Sequence, residues 1–226
     1  MIHPILLTVP PLENGDRLSR SEFEKRYHKM PKSTQAELIE GQVYMASPLR
    51  FNAHAEPHSK IITWLGVYAA ATPGTRLGDN ATVRLDRDNE PQPDAVLRIE
   101  PAKGGKSSVS DDDYLEGSPE LIVEIAASTA SYDRYDKLHV YQRNEVQEYI
   151  IWSVYEAQIE WFELQEGRYV QLNPDEQDII RSRVFPGLSL SISALLSGDL
   201  ATVLAQLQQS LGTAEHQAFV EQLQKD

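Results

Sequence analysis

The chain contains no cysteine among its 226 residues. This absence excludes disulfide bonds, a thiol nucleophile and a thiolate zinc site in one step. Any metal ion must therefore be bound by oxygen atoms or by imidazole nitrogen. Long apolar runs are also lacking, and none approaches the roughly 20 residues that a membrane-spanning helix needs. Residues 1–11 have neither a basic start nor a small-residue cleavage site, so we expect a cytoplasmic protein with no signal peptide and no membrane association.

Positive charge is scarce as well, because 21 Lys and Arg residues stand against 34 Asp and Glu residues and leave a net charge of -13. Non-specific affinity for nucleic acids comes from Lys and Arg that neutralise phosphates. The composition therefore argues against a general nucleic-acid coat, although it leaves room for a local contact. Acidic residues also outnumber basic ones between Arg76 and Arg143, so the sequence shows no basic stripe.

The apolar pattern predicts an α/β fold whose core has the order helix, three strands, helix, strand. An N-terminal hairpin that turns at Glu40-Gly41 precedes this core, and a C-terminal helical tail follows it. The predicted elements are a helix with capping-box spacing at 21–28, the hairpin at 36–45, a helix at 52–71, strands at 75–77, 81–85, 94–99 and 120–126, a helix at 131–143, and strands at 148–154, 158–164 and 168–172. Residues 103–117, rich in Gly, Ser and Asp, are predicted to form a surface loop.

The length favours one compact domain with an appendage. We expect this domain, with its extended N-terminal arm, to span residues 1–196 and the helical tail to span residues 197–226. In the tail, Leu204, Leu207 and Leu211 have helical spacing. Such a stripe packs either on the body of the chain or on a second copy of it.

Two acidic residues, Asp94 and Glu124, lie at apolar runs that are typical of buried strands. An unpaired charge is costly there unless a partner or a metal ion compensates it. If the two strands are neighbours, the carboxylates can converge near one end of the sheet. Oxygen ligands of this kind suit Mg²⁺, which could activate water and stabilise charge on a phosphodiester. Lys137 lies one turn beyond Asp133 on the next predicted helix and could reach back to the pair.

Simpler interpretations stand beside these. Asp94 follows a proline and could be a turn residue, because Pro-Asp is common in turns. Glu124 could be a strand-end carboxylate that faces solvent or pairs with an arginine. Lys137 could be a solvated lysine that pairs with Asp133 four residues earlier.

Other polar and aromatic residues favour structural roles. His54 and His58 have the spacing of an imidazole pair, but no third ligand at useful spacing supports a zinc site. Ser128-Thr129 is most simply the cap of the following helix. The three tryptophans are predicted to belong to the core or its cover and not to a base-stacking platform; they are Trp64, Trp152 and Trp161.

Several short motifs, taken together, resemble the Uma-type restriction endonuclease family, long described as a domain of unknown function, within the PD-(D/E)XK nuclease superfamily. The resemblance covers roughly residues 37–162. The motifs that carry it are Glu37-Leu38-Ile39-Glu40-Gly41, Pro93-Asp94, Val123-Glu124-Ile125, Ser128-Thr129, Asp133, Lys137, Tyr141 and Val146-Gln147-Glu148-Tyr149.

This resemblance implies a divalent-metal-dependent DNA endonuclease that uses Mg or Mn and acts as a homodimer. Asp94 and Glu124 would be metal ligands, the backbone carbonyl of Ile125 would complete the metal shell, and Lys137 would be the catalytic lysine. Glu37 and His58 match further family positions. Their expected role is to bind a second metal ion or to position a water molecule.

One departure is Ala126, which stands two residues after Glu124, where the superfamily usually has its lysine. The family pattern places the lysine on the following helix instead. This departure, the acidic charge and the amphipathic tail support an alternative: a catalytically inactive module of the nuclease fold that serves binding or assembly.

Overall fold

A six-stranded sheet forms the centre of the computed structural model, which describes residues 9–46, 48–127 and 133–225. The strands, in their order across the sheet, are β11 (Arg168–Gln171), β10 (Gln158–Gln165), β9 (Glu148–Ser153), β8 (Leu121–Ala126), β5 (Ala95–Ile99) and β3 (Thr75–Asp79). Strands β8 and β9 run parallel, and every other neighbouring pair in this sheet is antiparallel. The strand after Asp94 and the strand with Glu124 are thus neighbours, which is the condition for the two acids to converge.

Helices and small sheets surround this centre. The α-helices are α1 (Arg20–Tyr27), α2 (Glu56–Ala71), α3 (Leu138–Arg143), α4 (Ile192–Leu196), α5 (Leu200–Leu211) and α6 (Ala214–Gln224). The smaller sheets pair β1 (Ala36–Ile39) with β2 (Gln42–Met45), β12 (Ile179–Arg181) with β13 (Ser189–Ser191), and β4 (Val83–Arg84) with β7 (Leu115–Glu116) and β6 (Ser108–Val109). No helix in the described ranges is both long and apolar enough to cross a membrane.

The central sheet buries both of its faces. All six residues of β8 are buried, as expected for an apolar strand covered on two sides. Val123 and Ile125 belong to the core cluster under α2, whereas Ile122 packs on the other face with Val140 and Tyr141 of the α3 layer. Because side chains alternate along a strand, Glu124 points to the same side as Ile122, towards α3.

The helix predicted at 52–71 is present, but its first part differs from a regular α-helix. A π-helical turn spans Phe51–Ala55 and leads directly into α2. Pro57 lies in the first turn of α2. Farther along, Trp64 and Tyr68 are fully buried against the sheet.

The capping box predicted at Ser21 is wrong. Helix α1 begins one residue earlier, with Ser19 as its N-cap and no side-chain capping hydrogen bond. The glutamate expected to reach back to the cap, Glu24, instead lies 3.0 Å from Arg84 and 3.5 Å from Arg20. Long-range ion pairing thus replaces the local cap.

The prediction that residues 103–117 form only a surface loop is also wrong. Strands β6 and β7 lie within this segment and pair with β4. The guanidinium group of Arg84 anchors the segment, since it binds both carboxylate oxygens of Asp112 at 2.9 Å and lies 4.2 Å from the ring centre of Tyr114.

The hairpin and the C-terminal helices follow the sequence pattern more closely. Strands β1 and β2 turn at Glu40 and Gly41, whose φ angles of 50° and 70° are those of the turn that suits a two-residue hairpin. In α5, Val203 and Leu207 join the large core cluster under α2. Of the predicted stripe, Leu207 is part of this cluster and Leu211 packs against it, so this part of the tail packs on the body of the same chain.

The predicted helix at 131–143 appears as a π-helical turn, Asp133–Lys137, followed by α3. The cap predicted at Ser128-Thr129 lies outside the described residues.

Candidate active site

The register of the central sheet brings Asp94 and Glu124 together. Ala95 of β5 lies opposite Val123 of antiparallel β8, so one further residue of the same register places Asp94 opposite Glu124. The Oδ2 atom of Asp94 accepts a hydrogen bond from the backbone N–H of Ile125 at 2.6 Å. Only 7% of Asp94 and 4% of Glu124 are exposed. Two acids that lie far apart in the sequence therefore meet at one end of neighbouring strands.

Lys137 reaches this pair from the π-helical turn before α3. Its Nζ atom lies 2.9 Å from Oε1 of Glu124 and 2.9 Å from Oε1 of Glu37. One turn later, the hydroxyl group of Tyr141 donates to Oε1 of Glu124 at 2.7 Å. Lys137 is 3% exposed. The alternative of a solvated surface lysine is therefore wrong.

Glu37 is held in the site by the N-terminal hairpin. Reciprocal backbone hydrogen bonds between Leu38 and Glu90, at 3.1 and 2.7 Å, attach β1 to the segment before Asp94. The backbone N–H of Gln92 then donates to Oε1 of Glu37 at 2.6 Å. The hairpin thus serves to place a third carboxylate beside the lysine.

Two histidines approach Asp94 from the other side. The Nε2 atom of His54 lies 3.1 Å from Oδ1 of Asp94. The Nε2 atom of His58 lies 3.0 Å from the backbone carbonyl of Asp94 and 3.0 Å from Oδ1 of Asp79. His58 thus contacts the backbone of Asp94, while His54 contacts its carboxylate.

The role of His54 was missed by sequence reasoning. Its spacing from His58 was visible and was weighed only for zinc. The relevant partner, the carboxylate of Asp94, comes from a distant segment, and only the fold shows it. Within the described part of the chain, no group of three or more His, Asp or Glu residues is arranged to hold a metal ion.

A cavity of about 680 Å³ opens onto these groups. Its wall includes the site residues Glu37, His54, Asp94, Glu124 and Lys137, while His58 is not part of it. Ile125 also lines the cavity, next to the amide that binds Asp94. The buried acids and the lysine therefore face a common space that a ligand can enter.

The donor set in this cavity fits a hard divalent cation. Asp94 and Glu124 offer carboxylate oxygens, and the backbone of Ile125 is adjacent. Mg²⁺ is typically bound by one or two carboxylates and keeps several waters or substrate phosphates as its other ligands. A pair of acids in a water-accessible cavity meets this requirement without a third protein side chain.

The fold is mixed α/β, with Asp94 directly before β5, Glu124 on the neighbouring β8 and Lys137 on the helical segment that follows. The chain belongs to the Uma2 family, described as "Putative restriction endonuclease", whose sequence model matches residues 21–193. This finding confirms the family that the sequence motifs resemble.

A solved structure shows the same fold. It is the crystal structure of "a putative nuclease belonging to DUF820" from Anabaena variabilis, which is 16% identical in sequence to this chain. The match covers 76% of this chain and 96% of that one, with a TM-score of 0.59. No curated protein matches the sequence.

Proposed function

We propose that this protein is a divalent-metal-dependent nuclease that hydrolyses phosphodiester bonds in DNA. The observation that carries the proposal is the convergence of Asp94, Glu124 and Lys137 on one cavity, although the fold draws them from three separate segments. The family description supports a nuclease. The same description favours DNA as the substrate, because restriction endonucleases cleave DNA.

Asp94 and Glu124 would hold Mg or Mn, with the backbone carbonyl of Ile125 as a further ligand. A bound divalent cation supplies an activated water molecule and stabilises the charge that develops on the phosphate. Lys137, placed between Glu37 and Glu124, is positioned to neutralise phosphate charge or to orient the attacking water.

Two neighbouring side chains would position these groups. Tyr141 holds one oxygen of Glu124 through its hydroxyl group, and His54 contacts one oxygen of Asp94. Groups that fix the orientation of a metal-binding carboxylate typically change metal affinity or activity about 10-fold to 100-fold when they are removed. Their role is therefore to keep both carboxylates directed at the same space.

The test is cleavage of plasmid and oligonucleotide DNA in the presence of Mg²⁺ or Mn²⁺. We expect Asp94→Asn and Glu124→Gln each to lower the cleavage rate by about 100-fold or more, because each removes an anionic ligand of the cation that stabilises the phosphate. Glu148→Gln, which changes a buried acid that does not line the cavity, is the matched control. Cleavage that persists in the Asp94→Asn, Glu124→Gln double variant would reject these residues as the site.

The alternative of an inactive binding module also has an observation in its favour. Ala126 occupies the usual lysine position of the superfamily, and the net charge is -13. An inactive module would take up no divalent cation at Asp94 and Glu124 and would cleave no DNA. Metal binding that is lost in Glu124→Gln would exclude this alternative.

A further inference from the structure

Three strongly exposed apolar side chains lie in or directly beside the wall of the cavity. Leu49 is 61% exposed, Phe51 73% and Tyr155 61%. Leu49 and Tyr155 line the cavity, and Phe51 follows Arg50, which lines it too. Within the described residues, these three make up half of the strongly exposed large apolar side chains; the others are Val109, Tyr135 and Val170. We call Leu49, Phe51 and Tyr155 the apolar rim.

Two loops build this rim. Leu49 lies in the segment between β2 and the π-helical turn that starts at Phe51, and Tyr155 lies in the turn between β9 and β10. The loops touch, since Nη1 of Arg50 donates to the hydroxyl group of Tyr155 at 3.4 Å. The turn with Tyr155 follows the carboxyl end of β9, which runs parallel to β8 and its Glu124. The rim and the candidate active site therefore share one end of the sheet.

The chemical groups of the site lie deep below this rim. Asp94, Glu124 and Lys137 are each at most 7% exposed. A base-paired duplex is wide and stiff, and its phosphates cannot enter a pocket without the rest of the duplex. A single strand or an extruded nucleotide can, and the cavity volume of about 680 Å³ lies in the range of pockets that hold small molecules.

The charge of the cavity wall also favours a single strand over a duplex. Its cationic side chains are Arg50 and Lys137, while Glu37, Asp94 and Glu124 contribute three carboxylates. Duplex binding depends largely on Lys and Arg contacts to many phosphates, and the described part of this wall offers only two cationic side chains beside three carboxylates. Stacking of bases on aromatic rings requires no such charge, and every base offers a flat face for it.

We propose that the cavity accepts an unpaired segment of nucleic acid, whose bases stack on Tyr155 and Phe51 as its backbone enters. Arg50, which precedes Phe51 in the chain and donates to the hydroxyl group of Tyr155, contacts a phosphate of the entering strand. The position of cleavage on that strand rests on the nuclease function proposed above, whereas strand binding by the rim does not. The three tryptophans take no part, since Trp64, Trp152 and Trp161 are at most 5% exposed.

The experiment measures binding without divalent cations, so that no cleavage intervenes. Oligonucleotides that carry the fluorescent base 2-aminopurine are titrated as single strands and as blunt duplexes of the same sequence. We expect quenching of the base and at least about tenfold tighter binding of the single strand. We also expect a shallow salt dependence, because few phosphates are neutralised. Equal or tighter binding of the duplex would overturn the proposal.

Substitutions in the rim localise the effect. Tyr155→Ala and Phe51→Ala should each weaken single-strand binding about tenfold, because a stacking ring is lost. Tyr155→Phe keeps the ring and should retain the affinity. Val170→Ala removes an exposed apolar side chain, 44% accessible, on the edge strand β11 and is the control outside the rim. Rim variants that bind like Val170→Ala would also overturn the proposal.

Two further readouts separate the possible failures. If the protein binds single strands through the rim but cleaves nothing with Mg²⁺ or Mn²⁺, the nuclease proposal fails and the rim proposal stands. If it cleaves duplex DNA and the rim variants cleave as fast as the unmodified protein, the rim proposal fails and the nuclease proposal stands. Sedimentation that shows a dimer dissociated by Tyr155→Ala would assign the rim to a second copy of this chain and would also overturn the proposal.

Discussion

Buried carboxylates occur in two kinds of surroundings in this protein. Asp94 and Glu124 line a cavity and contact the side chains of His54, Lys137 and Tyr141. Glu120 and Glu148 are equally buried, at 2% and 0% exposure, but they do not line that cavity. Burial of an acid inside an apolar strand therefore does not identify a functional residue in this fold.

The partners of the second group explain the difference. Glu120 accepts hydrogen bonds from the backbone N–H groups of Ile99 and Lys106, at 2.7 and 3.0 Å. Glu148 accepts one from the backbone N–H of Arg183 at 2.6 Å and one from the hydroxyl group of Ser182 at 2.7 Å. These carboxylates tie loops to the central sheet. Glu124 instead contacts the side chains of Lys137 and Tyr141, and Asp94 contacts His54 besides the backbone N–H of Ile125. Side chains can move when a ligand enters.

The pKa of Glu148 shows that burial disfavours the charged form of its carboxyl group. Burial raises its pKa from the ordinary value of 4.5 to about 7, although the hydrogen bonds from Ser182 and Arg183 oppose the shift. Burial also raises the pKa of Glu90, and the neighbouring carboxylate of Glu24 raises it further. Both acids therefore favour the protonated form more in the folded state than in the unfolded state.

The largest effect on stability is expected at the lysine of the site. Lys137→Met leaves Glu37 and Glu124 without their shared cation, and we expect a loss of about 3–5 kcal/mol in the free energy of unfolding. Urea denaturation measures it. Mg²⁺ should restore part of the loss, because a bound cation replaces the missing charge.

The matched control for this change is Lys106→Met. Lys106 is 47% exposed in its side chain and lies 3.5 Å from Glu145. An exposed pair of this kind contributes at most about 1 kcal/mol. Equal losses in the two variants would show that the buried pair has no special energetic role.

A smaller effect is expected at Glu148. Glu148→Gln places an NH₂ group against a donor from Arg183, Ser182 or Trp161, so one hydrogen bond is replaced by a contact between two donors. We expect a loss of about 1–3 kcal/mol in the free energy of unfolding, with cleavage per folded molecule unchanged. Glu156→Gln, in an exposed turn, should change neither quantity. Loss of cleavage in folded Glu148→Gln would remove the distinction between the two groups of acids.

The smallest effect is a pH dependence carried by Glu90 and Glu148. Since their folded-state pKa values lie above 4.5, the stabilisation is fully present below about pH 4.5 and is lost as the pH rises towards 7 and above. Glu90→Gln removes one ionising group, so it should flatten the decline between pH 5 and pH 8 and raise the stability at pH 8 above that of the unmodified protein. Thermal melts across this range measure both. A wild-type melting temperature that rises steadily with pH over this range would contradict the account.

The central fold could be predicted because its signals are local. The apolar run of β8, the helical spacing in α2 and the Glu40-Gly41 turn each specify one element within a few residues. The short strands β6 and β7 could not be predicted in this way. They depend on Arg84, which lies outside their segment and binds Asp112 within it. The same arginine forms an ion pair with Glu24, which therefore does not act in the predicted capping box.

The candidate site could be predicted only in part. The order of Asp94, Glu124 and Lys137 along the chain resembles a known family, and their roles remain predictions. The contact of His54 with Asp94 depends on the register between β5 and β8 and on a π-helical turn, neither of which a local pattern specifies. No local sequence pattern at Glu148 indicates that its buried carboxylate has a structural role.

Calorimetric titration with Mn²⁺ tests the central claim most directly, because it measures the cation site without any assumption about the substrate. The account predicts one binding event per chain in the unmodified protein and in Glu148→Gln, and a loss of affinity of at least about tenfold in Asp94→Asn and in Glu124→Gln. Mn²⁺ binding of the same strength in all four proteins, or none in any of them, would contradict it.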